Sequence, residues 1–438
     1  MTTKWLFTPK TFSGPLSFIE HSLPLTLQIG IDQTGTVVFT IDPIPLTNES
    51  NFILLKSHGN SDRLNNFSLV CKSGDGSEFS TEALHFSSVG IDSGNTGSCI
   101  ILSAACWTGK LKVKLEKSAP NPVLRMRLKG FESFSTMHGT CKVGHVAGGG
   151  VNSPKDFNEI TGYLAVQAAE SPSNISDWST EAEKLLEHMR RILSLAAASF
   201  LRAPILEFFH GDWSETTIFS ETQQVQSAIR LIHVLDQDAI FDVAIRSFYD
   251  SKIEIKQLFF AIEWFSMEAT YNEIRLINIM TAIENLLDAN LKDDENQLLS
   301  ATQFKKLRRE VASAVQRSFD TLELEGGAEL YTEISEKYPE LNRRSLLRKL
   351  EILASKWNVP LEDIGIEKIK AAKRARDRIV HKGQYYEEAK SADSDLWTHF
   401  TVAREVAVRF LFTAIGYEGG YISHMGGYHQ ANFPPKQH

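Results

Sequence analysis

The hydrophobic period of this chain changes once, near residue 170, and that change limits the possible folds more than any other feature. Ahead of it, Leu111-Lys112-Val113-Lys114-Leu115 and Leu124-Arg125-Met126-Arg127-Leu128 alternate apolar and basic residues. That is the two-residue period of a strand with one buried face. Thr36–Ile41 is a further short apolar run, and turn-forming stretches follow at Gly59–Asp62, Ser73–Ser77 and Asp92–Gly97. Beyond the change, Leu185, Met189, Ile192 and Leu193 recur at three- and four-residue steps, as do apolar residues in 255–271, 274–291, 304–319 and 346–353. A helix needs that spacing to bury one face.

The segment Glu170–Asp177 reads as a linker, and Thr180-x-x-Glu183 has the pattern of a helix-capping box. The expected fold is therefore α+β and multidomain. A β-rich, sandwich- or barrel-like domain covers residues 1–168, a linker and helical connector covers 169–250, and an all-α bundle covers 251–420. Residues 421–438, following Gly419-Gly420 and containing Pro434-Pro435, read as an irregular tail. Whether the helices between about 180 and 250 join the β domain or the bundle is left open by the pattern. The stripe Leu396, Phe400, Ala403, Ala407, Phe410 and Ala414 predicts a last helix, over 394–415, that closes the bundle.

A length of 438 residues with 42% hydrophobic and 23% charged residues suits a soluble globular protein of two or three domains. No apolar run approaches the roughly 18 residues that span a bilayer, and the first residues lack the pattern of a secretory signal, so a cytoplasmic address is expected, with no membrane partner. Cys71, Cys99, Cys106 and Cys141 contain no CxxC pair and read as thiols.

The formal charge is −8, which excludes general attraction to polyanions. Contact with nucleic acid must come from a local patch, and one exists. Between residues 368 and 382 stand Lys368, Lys370, Lys373, Arg374, Arg376, Arg378 and Lys382 against the single acid Asp377, with His381 near the end. The ordinary reading is a solvated helix face. The chemical reading is that an arginine can hold a phosphate through two hydrogen bonds, while an imidazole can exchange a proton near neutral pH. Glu284 is the odd residue of a largely apolar helix, and it either faces solvent or meets a cation in the bundle.

Arg376-x4-His381, with the polar Asp377 after the arginine, resembles the signature of HEPN domains, and its place before a closing apolar helix strengthens the likeness. The likeness covers about residues 255–420. The β-rich part resembles the N-terminal domain of ApeA-type antiphage proteins. This resemblance implies a HEPN helical bundle acting as a metal-independent endoribonuclease in abortive infection. Arg376, His381 and Asp377 would be catalytic, and Lys373, Arg374, Arg378 and Lys382 would contact RNA phosphates. Glu284 is a possible supporting acid. It also implies RNA as substrate, a homodimer formed through the helical domain, a sensing or restraining N-terminal domain with a possible phage-protein trigger, and no cofactor. The alternative is a non-catalytic HEPN-like module that binds RNA and dimerises, with the β domain as a protein-interaction platform.

Helical geometry constrains the motif. Five residues turn about 500°, so Arg376 and His381 diverge by about 140° on a straight helix, whereas Asp377 shares a face with His381 and could orient the imidazole. Either the helix distorts near its end, or two chains juxtapose their motifs, which the resemblance favours. Arg374-x6-His381 also satisfies the loose spacing.

Other constellations are weaker. His138-x2-Cys141-x3-His145 offers three zinc ligands, but a structural site ordinarily has four, so no metal is expected. The run Gly144-His145-Val146-Ala147-Gly148-Gly149-Gly150 lacks the Gly-Lys-Ser/Thr ending of a phosphate loop and reads as a flexible connection.

Overall fold

A computed structural model describes residues 4–53, 67–94, 97–132, 134–151, 158–220, 230–250, 255–322, 327–385 and 395–435. The expected turn at Gly59–Asp62 lies outside them. The chain is mixed α+β and divides into two compact units, residues 1–249 and 250–438. Among the described residues no helix is long and apolar enough to cross a membrane.

The first unit is built on one 12-stranded sheet, not on two packed sheets. Its strands are β1 (Trp5–Phe18), β2 (His21–Asp32), β3 (Val37–Ile41), β4 (Ile44–Pro45), β5 (Phe67–Ser73) and β6 (Glu78–Gly94). They are followed by β7 (Gly97–Cys106), β8 (Thr108–Lys129), β9 (Met137–Cys141), β10 (Gly144–Gly150), β11 (Ile160–Gln167) and β12 (Arg202–Phe219). The expected alternation governs β8, whose Leu111, Leu124, Met126 and Leu128 are buried. Phe12, Leu27, Phe67, Phe79, Ile100, Leu111 and Ile218 share one core although they come from seven strands, so the sheet folds over itself.

Helices α1 (Ile175–Ala197) and α2 (Gln237–Asp250) complete this part of the chain. Helix α1 starts five residues ahead of Thr180, capped by Asn174, whose side chain accepts from the Ser176 and Asp177 amides. The Thr180 hydroxyl instead donates to the Ser176 carbonyl inside the helix, so the expected capping box is not used. The segment 169–250 is no separate connector, because β12 pairs with β8 along most of its length, from Arg202↔Lys129 to Phe219↔Thr108.

The glycine run corrects a second expectation. Gly144–Gly150 is strand β10, paired with both β9 and β11, and not a flexible connection. Its glycines are required by close approach: a Cβ at Gly150 would stand 2.2 Å from the Phe131 carbonyl oxygen, and one at Gly148 only 3.0 Å from the Phe241 ring of α2.

His188 on α1 makes stability in this unit depend on pH. Its Nε2 lies 2.8 Å from the Ser247 hydroxyl, and burial, helped by the Arg191 charge, lowers its pKa from 6.5 to about 4. An unfolded imidazole gains its proton near pH 6.5 while the folded one refuses it until about pH 4. The stability is therefore fully present above pH 6.5 and is lost as the pH falls toward 4, by about 3 kcal/mol. Urea unfolding at pH 7.5 and pH 5 is expected to show about 2 kcal/mol of this loss, and His188→Gln to flatten it. An equal slope in that variant contradicts the assignment.

The second unit contains α3 (Ile255–Ser266), α4 (Asn272–Asn290), α5 (Asp293–Asn296), α6 (Ala301–Leu322) and α7 (Gly327–Glu336). Then come α8 (Leu346–Trp357), α9 (Ile366–Lys382), α10 (Leu396–Ile415) and a hairpin of β13 (Gly419–Ser423) and β14 (His429–Phe433). The expected irregular tail is thus largely ordered. Tyr417, Tyr421 and Phe433 all pack on the Phe412 ring, at centroid distances of 4.4, 5.5 and 5.4 Å. Helix α10 lies at the centre of the unit rather than closing its side. Arg404, Glu405 and Arg409 are buried along with its apolar residues.

Candidate active site

Helix α9 is positioned by Ile369, Ala372, Ala375 and Ile379, a narrow buried ridge that packs on α10 and α4. The two alanines let the helices approach closely, and the cations occupy the remaining circumference. Arg374, Arg378, His381 and Lys382 are exposed, whereas Lys373, Arg376 and Asp377 are half-buried along the boundary.

Arg376 reaches across to α4. Its Nη2 donates to Glu284 Oε1 at 2.7 Å and Oε2 at 2.8 Å, and its Nη1 donates to Asp377 Oδ1 at 3.2 Å. Lys373 Nζ holds the other Asp377 oxygen at 2.5 Å. Glu284 therefore meets a cation, as one of the two sequence readings held. Among the described residues the buried Arg376 Nε has no hydrogen-bond partner.

Electrostatics separate the two carboxylates. Burial raises the Glu284 carboxyl above the ordinary glutamate value, and the Arg376 charge only partly offsets this because Asp288 and Asp377 push the same way as burial. Partial burial also acts to raise Asp377, yet hydrogen bonds and charge from Lys373 and Arg376 outweigh it and hold the group below the ordinary aspartate range. Asp377 is the firm anion of the pair, and Glu284 is the one more readily released.

The motif is not assembled within one chain. Helix α9 runs without a break to Lys382 and stops at Gly383, whose left-handed φ of +76° lets its amide donate to the Ile379 carbonyl at 2.8 Å. The distortion that would bring Arg376 and His381 together is absent, so their side chains diverge by about 140°. The Asp377 oxygens are taken by Lys373 and Arg376, which assigns that residue to the arginine rather than to the imidazole.

No protein-family model, curated protein or solved structure matches this chain. Its candidate chemistry therefore rests on the residues themselves.

Sequence reasoning missed a second polar cluster. Glu405 accepts from Arg409 Nε at 3.0 Å, from Ser423 Oγ at 2.8 Å and from the Tyr421 hydroxyl, while Arg409 also forks onto Asp363. The cluster borders a cleft of about 400 Å³ beside the hairpin. A second cleft, of about 700 Å³, is lined by residues 350–369 of α8, α9 and the segment between them. Neither is lined by Arg376 or His381. The available signal was three charges, Arg404, Glu405 and Arg409, inside an apolar stripe. Among the described residues no three His, Cys, Asp or Glu side chains stand close enough to share a metal ion, the zinc candidates His138, Cys141 and His145 included.

Proposed function

We propose that this chain is a metal-independent endoribonuclease of antiphage defence, with a HEPN-type helical unit that cuts RNA by attack of a ribose 2′-hydroxyl on the adjacent phosphodiester. The observation that carries the reading is Arg376, held half-buried by two carboxylates, on a helix whose last turn exposes His381. The imidazole moves protons between the attacking hydroxyl and the leaving 5′-oxygen, and the guanidinium offsets charge on the phosphate. Because one straight helix sends the two side chains apart, the productive site takes Arg376 from one copy and His381 from another.

A phosphate approaching Arg376 competes with Glu284, whose charged form is already disfavoured by burial, while Asp377 keeps the guanidinium in place. Arg374, Arg378 and Lys382 hold flanking phosphates. The first unit restrains the nuclease until a trigger, a phage protein, relieves it, and the resemblance of its sequence to ApeA-type N-terminal domains supports that role. The commitment of both Nη atoms to carboxylates favours a second reading, in which the helical unit binds RNA and dimerises without cleaving it.

Incubating the activated protein, purified from phage-infected cells, with RNA in EDTA and sequencing the new ends tests the first reading. Ends bearing 2′,3′-cyclic or 3′-phosphate opposite 5′-hydroxyl are expected, with DNA of the same sequence left intact. Cleavage that requires a divalent ion, or equal cutting of DNA, overturns it. Binding without cleavage under every condition establishes the second reading.

A further inference from the structure

Helices α6 and α7 contain no buried residue, although together they supply two amphipathic faces. On α6, Phe304, Leu307, Val311, Val315, Phe319 and Leu322 fall within an arc of about 120°. Leu307 is 44% exposed and Leu322 64%, and on α7 Leu330 and Ile334 are 41% and 39% exposed. The two helices touch through an edge-on contact of Phe319 and Tyr331, at a centroid distance of 6.2 Å. A helix in a folded protein owes most of its stability to burial of its apolar face, and among the described residues these faces are only partly covered.

Charge distinguishes the two helices. Lys305, Lys306, Arg308, Arg309 and Arg317 make α6 basic, whereas Glu329, Glu333 and Glu336 cluster on one side of α7. None of these eight side chains forms an ion pair among the described residues. RNA would account for the basic helix but for neither the acidic one nor the apolar stripes. A second copy accounts for all three.

We infer that the α6–α7 arm is a dimerisation surface, on which the arms of two copies form a four-helix bundle with α6 of one copy beside α7 of the other. The basic flank of each α6 then meets the acidic flank of the opposite α7, and the four apolar stripes form its core. A 22-residue helix is about 33 Å long, enough for an interface of the usual size, about 1,600 Å². The inference shares only the second copy with the proposed function. Molecular mass reads the arm and RNA ends read the chemistry, so either can fail alone.

Sedimentation of the full chain at micromolar concentration is expected to give twice 49.1 kDa, and the Leu307→Glu/Leu330→Glu double variant the monomer mass. Two charge reversals guard against simple misfolding. Lys305→Glu/Arg309→Glu and Glu329→Lys/Glu333→Lys should each be monomeric alone and should pair when mixed, since only contacts between chains can be restored by mixing. A monomeric wild type, a dimer that survives all three variants, or a mixture that fails to pair overturns the inference. So does a loss of RNA binding in the α6 variant with no change in mass.

Discussion

His381→Ala is expected to lower RNA cleavage by about 10²–10⁴-fold, the range for losing a positioned general acid or base, while RNA binding and molecular mass stay as in the wild type. The side chain is exposed at the end of α9 and, among the described residues, has no hydrogen-bond partner, so its removal disturbs no packing. Arg376→Ala should cost about 10²–10³-fold by removing charge stabilisation at the phosphate. Arg376→Lys should not restore activity, since an ammonium cannot span both Glu284 oxygens and still reach Asp377. Glu284→Gln separates support from chemistry, because it keeps the side chain's shape but loosens the fork. It should reduce single-turnover cleavage less than either motif variant. Mixing Arg376→Ala with His381→Ala chains should recover part of the activity if each site draws one residue from each copy. Full activity in His381→Ala, measured as single-turnover cleavage of a labelled RNA, would sink the mechanism.

The largest effect on stability is expected from Glu405→Ala. Glu405 is 2% exposed and accepts from Arg409, Tyr421 and Ser423, which join α10 to the β13 strand. Its charge also faces Arg404, a neighbouring cation whose pKa burial pushes down to about 10. Truncation leaves Arg404 without that counter-charge and Arg409 with only Asp363 and the Pro360 carbonyl. Breaking a buried pair from one side costs about 3–5 kcal/mol. For a unit of this size that corresponds to a fall in Tm of about 6–20 °C. Glu405→Gln keeps the side chain's size but loses the charge and one of the two acceptor oxygens, so it should lie between wild type and alanine. Calorimetry of the whole chain checks this, with the transition of the second unit moving and that of the first unchanged. A shift under about 2 °C for the alanine variant would show that the cluster relaxes around the loss.

These expectations separate what was legible in the residues from what was not. The ridge Ile369, Ala372, Ala375 and Ile379 follows from local spacing, and so does the divergence of Arg376 and His381. The strand alternation of β8 was equally plain. By contrast the apolar runs of β12 are interrupted by Pro204 and by Gly211-Asp212, so its pairing with β8 is what shows it to be one long strand. The glycines of β10 looked flexible because their reason for being small, the nearness of Phe131 and Phe241, comes from elsewhere in the chain. Residues 419–433 carry turn-forming glycines that hid a hairpin stabilised by Phe412 and Glu405.

The sequence by itself determined the passage from a strand-rich to a helix-rich part and the basic helix with its arginine and histidine, because hydrophobic period and side-chain chemistry are properties of neighbouring residues. It did not place the division between the two units, which falls at residues 249 and 250 and not near 170. Tertiary structure alone decided that Glu284 grips Arg376 from 92 positions away, that Asp377 serves the arginine, and that α9 stays straight. Partners so distant in sequence are chosen by packing, which satisfies a half-buried charge with whatever the fold brings beside it.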